Sequence, residues 1–237
     1  DGGSSNGGFS FEVALLLHEW AVRRGDMAHA ESLMVQMQSH LSSSHLPHQQ
    51  VVLDVSTQQC FALSRQGRHE AAIALTKELI TTCRDQGDRQ RLAQLLLQLG
   101  TIQLEEGQSF TNAIPPLLQC LTLARDCGMD TIHAAALVLL ARLHLQMGHN
   151  PSRAIAMIKA ATPTLMQHGH VATQAEAYLT LAKCHLQRAK HYAADRASSS
   201  SSGSGEPVTP TKMVNEKILR SAMKALVRSQ GLFERCH

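Results

Sequence analysis

The chain has 237 residues, 43% of them hydrophobic, 17% charged and only 3% aromatic, with a formal net charge of +3 at pH 7. Its basic residues are dispersed and its aromatics few, which excludes the basic stripe and stacking rings of a nucleic-acid binder. The longest apolar run, Ala134 to Ala141, falls far short of the roughly 20 residues that a membrane-spanning helix needs, and no secretory leader is visible.

Residues 1–8 contain only Asp, Gly, Ser and Asn and predict a flexible lead-in. They lack an initiator Met, as expected of a piece of a longer protein. From residue 9 onward, apolar residues recur at helical spacing, and the pattern breaks at Gly25-Asp26. A partner helix follows to about residue 41, then a Ser/His/Pro loop over residues 42–48. The same helix–break–helix pattern returns over residues 49–86, 88–127, 130–168 and 170–235. Pro151 is expected at a helix start, where the missing N–H costs little, and Pro115 and Pro116 are placed near a start for the same reason. The last unit is interrupted at about 195–212 by a Ser/Gly/Pro-rich stretch that predicts a disordered insertion.

The breaks form a ladder. Gly25, Gly67, Gly107, Gly148 and Ala189 follow one another at 40 to 42 residues, the signature of one unit copied five times. Five residues before each marker stand Trp20, Ala62, Ile102, Leu143 and Cys184; eight before stand Leu17, Gln59, Leu99, Leu140 and Leu181. Twelve before stand Val13, Val55, Leu95, Ala136 and Ala177. These offsets share one helical face and predict a buried stripe. Seven before come His18, Cys60, Gly100, Ala141 and Ala182, mostly small residues that suit close helix approach. Ala30, Ala72, Ala113, Ala154 and Ala222 recur at the start of the second helices.

This placement of small residues in paired antiparallel helices resembles the tetratricopeptide repeat. The usual unit of about 34 residues is lengthened here, and most of the family's aromatic positions are missing. HEAT-type helix pairs, with periods near 40, remain the alternative. The expected fold is therefore all-α: a tetratricopeptide-like helical-hairpin solenoid forming a right-handed superhelix of five units, each about 41 residues long. Residues 9–237 form the array.

A narrower resemblance rests on four stretches in common order: Asn112-Ala-Ile-Pro-Pro-Leu-Leu-Gln-Cys-Leu-Thr-Leu-Ala124, Ala135 to Gly148, Arg153-Ala-Ile-Ala-Met-Ile, and Tyr178-Leu-Thr-Leu-Ala-Lys-Cys-His185. The opening Phe11-Glu-Val-Ala-Leu-Leu-Leu-His-Glu also fits. Together they are similar to the C-terminal repeats of the subunit 5 family of the anaphase-promoting complex. The resemblance implies a non-catalytic scaffold in a cullin-RING ubiquitin ligase that drives mitotic progression and exit. It also implies platform contacts with other subunits and a location in nucleus and cytoplasm. The alternative is a free-standing adaptor or sensor that binds a peptide in its concave groove.

No catalytic signature competes with these readings. None of the fourteen histidines forms an i,i+4 pair, so a zinc-protease helix is absent, and no Gly-rich phosphate loop or nucleophile elbow appears. The six cysteines lack C-x-x-C spacing, and four fall on apolar or small helical positions, pointing to buried thiols in a reducing compartment. No enzyme activity, cofactor, metal, nucleic acid, membrane or small-molecule substrate is expected. Arg23, Phe61, Arg65, Arg142 and Lys183 fall on the exposed side of the first helices and form a candidate partner-binding groove. Thr209, followed by Pro210 and with Lys212 three residues on, matches a proline-directed phosphorylation site.

Overall fold

The computed structural model describes residues 10–43, 49–106, 110–148, 151–199 and 209–235. Among them are ten α-helices and no strand: α1 (Phe11–Arg24), α2 (Met27–Ser43), α3 (Gln49–Arg65), α4 (His69–Gln86), α5 (Arg89–Glu106), α6 (Phe110–Asp126), α7 (Asp130–Gln146), α8 (Pro151–His168), α9 (Val171–Ser199) and α10 (Thr209–Glu234). The all-α helical-hairpin fold expected from the ladder is the fold observed.

Glycine closes the helices through a left-handed residue. Gly25 has φ 79°; its N–H donates to Val22 O, and the Asp26 N–H donates to Ala21 O at 3.0 Å. These two bonds satisfy carbonyls that the helix end leaves open. Gly67 repeats the arrangement at φ 77°, with Arg68 N–H donating to Leu63 O. The sequence ladder anticipates both, but the same closure at Gly87 and Gly128, between successive hairpins, lies off the ladder. Gly107, the third marker, lies outside the described residues. After Gly25 and Gly87, an aspartate opens the next helix: Asp26 Oδ1 accepts from His29 N and Asp88 Oδ1 from Arg91 N. A Gly-Asp pair thus ends one helix and starts another within two residues.

A Cβ at residue 67 would meet nothing within 4 Å, so only the backbone resists substitution there. Gly67→Ala is expected to cost about 1–2 kcal/mol, the penalty for a left-handed L-residue, read as a lower urea midpoint with an unchanged slope.

The chain divides into two compact units, Asp1–Glu106 and Gly107–His237. In the first unit, α1 pairs with α2 and α3 with α4, and α3 lies against both helices of the preceding hairpin. Val55 of α3 is buried with Ala14, Met34 and Met37. Arg91 on α5 reaches back to Asp54 on α3 at 2.6 Å. In the second unit, α7 pairs with α8 and α9 with α10, and α9 lies against both α7 and α8. Its core joins Ala134, Val138 and Ala141 of α7, Ala154, Ile155, Ile158, Ala161 and Leu165 of α8, and Ala177 and Cys184 of α9. Ser229 Oγ on α10 donates to Ala175 O on α9 at 2.9 Å, a buried bond spanning the last hairpin.

Three local expectations are corrected. Pro115 and Pro116 stand inside α6, past its first turn, so the open N–H groups of a helix start do not account for them. Pro163 stands likewise inside α8. The flanks of the Ser/Gly/Pro stretch are helical: α9 continues past Ala189 to Ser199 and α10 begins at Thr209, while residues 200–208 lie outside the described residues. The third correction concerns the stripe. Leu95, Leu99, Ile102, Ala136, Leu140, Leu143, Ala177 and Cys184 are buried as expected, yet Val13, Leu17 and Trp20 on α1 are exposed. The face of α1 that is buried is Ala14, His18, Ala21 and Val22. A helix such as α9 lies against both helices of the hairpin before it, whereas among the described residues α1 packs only on α2 and α3.

Candidate functional site

The five groove residues divide between the two units, and within each unit their environments differ. In the first unit, Phe61 is half-buried against Ala21, Val22 and Ala30, beside Met27 and Ala62. It is therefore part of a core cluster rather than an open groove wall. Arg23 sits at the end of α1 and is paired with Glu19 one turn back. Arg65, the last residue of α3, is exposed.

In the second unit, Arg142 on α7 donates to Glu176 on α9 at 2.9 Å, and both side chains are about one-third exposed. Its charge is committed to a bond between neighbouring hairpins. Lys183 on α9 is exposed. Arg65 and Lys183 are thus the predicted cations that stand open to a partner. Thr209 is the first residue of α10, and its side chain lies outside the described residues.

Two features escape the sequence reading. The first is the exposed apolar face of α1, where Leu16 is 68% and Trp20 52% exposed next to Val13 and Leu17. Arg24 lies over the Trp20 ring, 4.6 Å from its centroid. A second apolar face, on α10, comprises Leu219, Met223, Val227 and Phe233. The second feature is an open pocket of about 290 Å³ in the first unit, lined by residues of α2 and α3, by Gln66 and Arg68 of the turn after α3, and by His18 of α1. The sequence does carry a signal for it. His18 is the large polar member of a position otherwise filled by Cys, Gly and Ala.

The thiols are hydrophobic packing groups. Cys60, Cys83, Cys120 and Cys184 are buried and unbridged. Burial pushes the Cys120 thiol up to about 12 and the Cys184 thiol up to about 11, so neither is a thiolate near neutral pH. Among the described residues, no three His, Cys, Asp or Glu side chains gather as a metal site. Among them too, no helix is long and apolar enough to cross a membrane.

Two buried histidines are held in the neutral form. Burial lowers the affinity of His18 for a proton, against the pull of Gln58 and Glu19. His185 is lowered by burial and by the positive charges of Arg188 and Lys159. In the unfolded chain both take up a proton near pH 6.5. Between that value and their lower folded values, the unfolded state binds more protons. Stability is therefore expected to fall as pH drops from 7.5 to 5.5. Urea unfolding at the two pH values checks this, and a His18→Leu/His185→Leu double variant should show a flatter pH dependence.

No family model matches the sequence, and no curated protein matches it. Solved structures do. The chain is similar to BtubC (BKLC) from P. vanneervenii, with a TM-score of 0.60 and 14% identity over 94% of this chain and 80% of that one. It is also similar to a putative kinesin light chain with nearly identical TPR-like repeats from Podosopora anserina, with a TM-score of 0.60 and 12% identity over 93% and 96% of the two chains. A point variant of the latter aligns with a TM-score of 0.61 over the same shares. The fold is that of tetratricopeptide-like helical-hairpin repeats.

Proposed function

We propose that this chain is a non-catalytic scaffold subunit of the anaphase-promoting complex, corresponding to the C-terminal repeats of its subunit 5. On this reading it works in nucleus and cytoplasm and supplies platform contacts during mitotic progression and exit. Tetratricopeptide-like hairpins suit the role because each repeat adds surface without adding chemistry. The sequence stretches around Asn112–Ala124 and Tyr178–His185 resemble that subunit and direct the reading to it.

The observation that carries it is the pair of exposed apolar faces. A subunit built into an assembly keeps large side chains such as Leu16, Trp20, Met223 and Val227 for its neighbours. Affinity purification of the tagged chain from mitotic cells, followed by mass spectrometry, tests the proposal. Recovery of the cullin-like and RING subunits of the ligase is the expected result. Recovery of the chain without them overturns it.

The peptide-groove alternative draws on the open cations. Arg65→Glu and Lys183→Glu are its clean tests, because Arg142→Glu would also set two carboxylates together at residues 142 and 176. Loss of partner recovery in those two variants, with both apolar faces intact, would favour the groove.

A further inference from the structure

In the second unit, α9 lies on a seat made by the hairpin before it. Val138 of α7 and Ile155, Ile158 and Leu165 of α8 are buried there, packed with Ala177, Leu181 and Cys184 of α9. The repeat places a second copy of this seat on the last hairpin. Leu179 of α9 stands ten residues before its ladder marker, as Val138 does before Gly148. Counted from Ala154 and Ala222, the matching starts of the second helices, Met223, Leu226 and Phe233 of α10 take the places of Ile155, Ile158 and Leu165. Contacts agree with this register. Ser229 donates to Ala175 O, and their counterparts Ala161 and Ala134 share one cluster.

Among the described residues, α10 packs on α9 alone, so no helix lies on the second seat. Met223 is 62% and Phe233 40% exposed, where Ile155 is 5% and Leu165 1%. Leu179, Met223, Leu226 and Phe233 line an open groove of about 590 Å³, with room for several side chains in a row. The polar groups of the lining are already bonded: Ser229 to Ala175 O, and Gln230 Nε2 to Glu234 at 3.0 Å. An occupant is therefore held by apolar contact.

The two seats differ at one edge. Where α8 carries Ser152 and Ala156, α10 carries Arg220 and Lys224, both exposed. Arg220 is held only by a surface pair with Glu216, which is worth little. Gln174 near the start of α9 donates to the carbonyl of Leu165 near the end of α8, so the seated helix runs antiparallel to the helix beneath it. The last turns of a helix on the second seat would thus lie towards Arg220 and Lys224.

We infer that the α9–α10 groove binds one amphipathic helix of a partner protein, with apolar side chains spaced as in Ala177, Leu181 and Cys184 and carboxylates in its last turns. This is recognition of a helix in a groove, and the flexible Met223 side chain suits a foreign surface. The α1 helix of a second copy has Val13, Leu17 and Trp20 at the matching places, but it ends in Arg23 and Arg24. Those would bring like charge to Arg220 and Lys224, so charge selects a different chain. The inference rests on the scaffold reading and names the kind of partner that the α10 face holds. Its test needs no ligase subunit and fails separately from co-purification.

The test uses the full chain and a fluorescein-labelled, hydrocarbon-stapled peptide of the sequence Val171–Arg188 carrying Cys184→Ala and Arg188→Glu. Fluorescence anisotropy should show saturable binding. Met223 and Val227 are 62% and 64% exposed, so a Met223→Glu/Val227→Glu variant of the chain should keep its urea midpoint. It should bind the peptide about tenfold more weakly or worse. The peptide that keeps Arg188 should bind several-fold more weakly at low salt, and the difference should close at high salt. The inference is overturned if the peptide does not bind, if the variant binds it like the parent, or if the charge at residue 188 has no effect. It is equally overturned if the same two residues instead drive self-association in the ultracentrifuge or binding to phosphatidylserine vesicles.

Discussion

Ile158→Ala should lower the stability of the second unit by about 3 kcal/mol, within the range for deleting a fully buried branched side chain. Ile158 has no exposed surface and lies on α8 within the cluster that joins α7, α8 and α9. Its neighbours Ala134, Ala141, Ala154, Ala161 and Ala177 are themselves small. They bring the helix backbones close, so that relaxation into the void falls to the longer side chains at the margin of the cluster, Leu137, Leu145, Met157 and Leu181. The loss therefore includes both the transfer free energy of the missing carbons and the cavity left behind. Urea unfolding monitored by circular dichroism checks the magnitude, and a change below about 1 kcal/mol would mean that the cluster collapses around the smaller residue. Gln167, exposed on the same helix, is the control; its replacement by alanine should change stability by no more than about 0.5 kcal/mol.

The fold was legible in the chain because repetition averages out local ambiguity. One glycine followed by aspartate is a weak turn signal, but three glycines and an alanine continuing the spacing from Gly25 fix the hairpin count. The same reasoning placed Leu95, Ile102, Leu140 and Leu143 in the core. It failed on α1. Val13, Leu17 and Trp20 obey the packing pattern, yet burial needs a neighbour on that side as well as an apolar face, and a periodic pattern records only the face.

The site was less legible, because its residues depend on contacts between distant positions. Arg142 looks like any exposed arginine in sequence, and only its approach to Glu176, 34 residues away, shows that its charge is taken. Phe61 has helical neighbours that suggest an outward face, but the cluster of Ala21, Val22 and Ala30 draws it inward. His18 is the instructive case. It breaks the small-residue rule of its own ladder position, and that departure marks the pocket that the periodic pattern alone does not reveal.

A Leu16→Glu/Trp20→Glu double variant should leave the unfolding midpoint within experimental error and reduce recovery of the assembly about a hundredfold. Both side chains are more than half exposed, and Arg24, which lies over the Trp20 ring, can pair with a carboxylate at residue 20 one turn away, so the loss of the ring contact is offset. Fully covering a large apolar side chain stabilises by about 1.5–3 kcal/mol, so two that are still half to two-thirds exposed contribute about 2–4 kcal/mol together, on the order of a hundredfold in affinity. On the proposed reading, an apolar helix pair of a neighbouring subunit would cover this face. It would pack against Val13, Leu17 and Trp20 as Ala14, Met34 and Met37 pack against Val55, at the equivalent place one repeat later. Quantitative mass spectrometry of the purified variant reads the recovery, and urea unfolding of the same variant reads the midpoint. If recovery is unchanged while stability falls, the face is covered by the protein's own chain, and the subunit contact must be sought on the α10 side, around Met223 and Val227. If neither changes, the face is not a contact surface and the scaffold reading loses its main support.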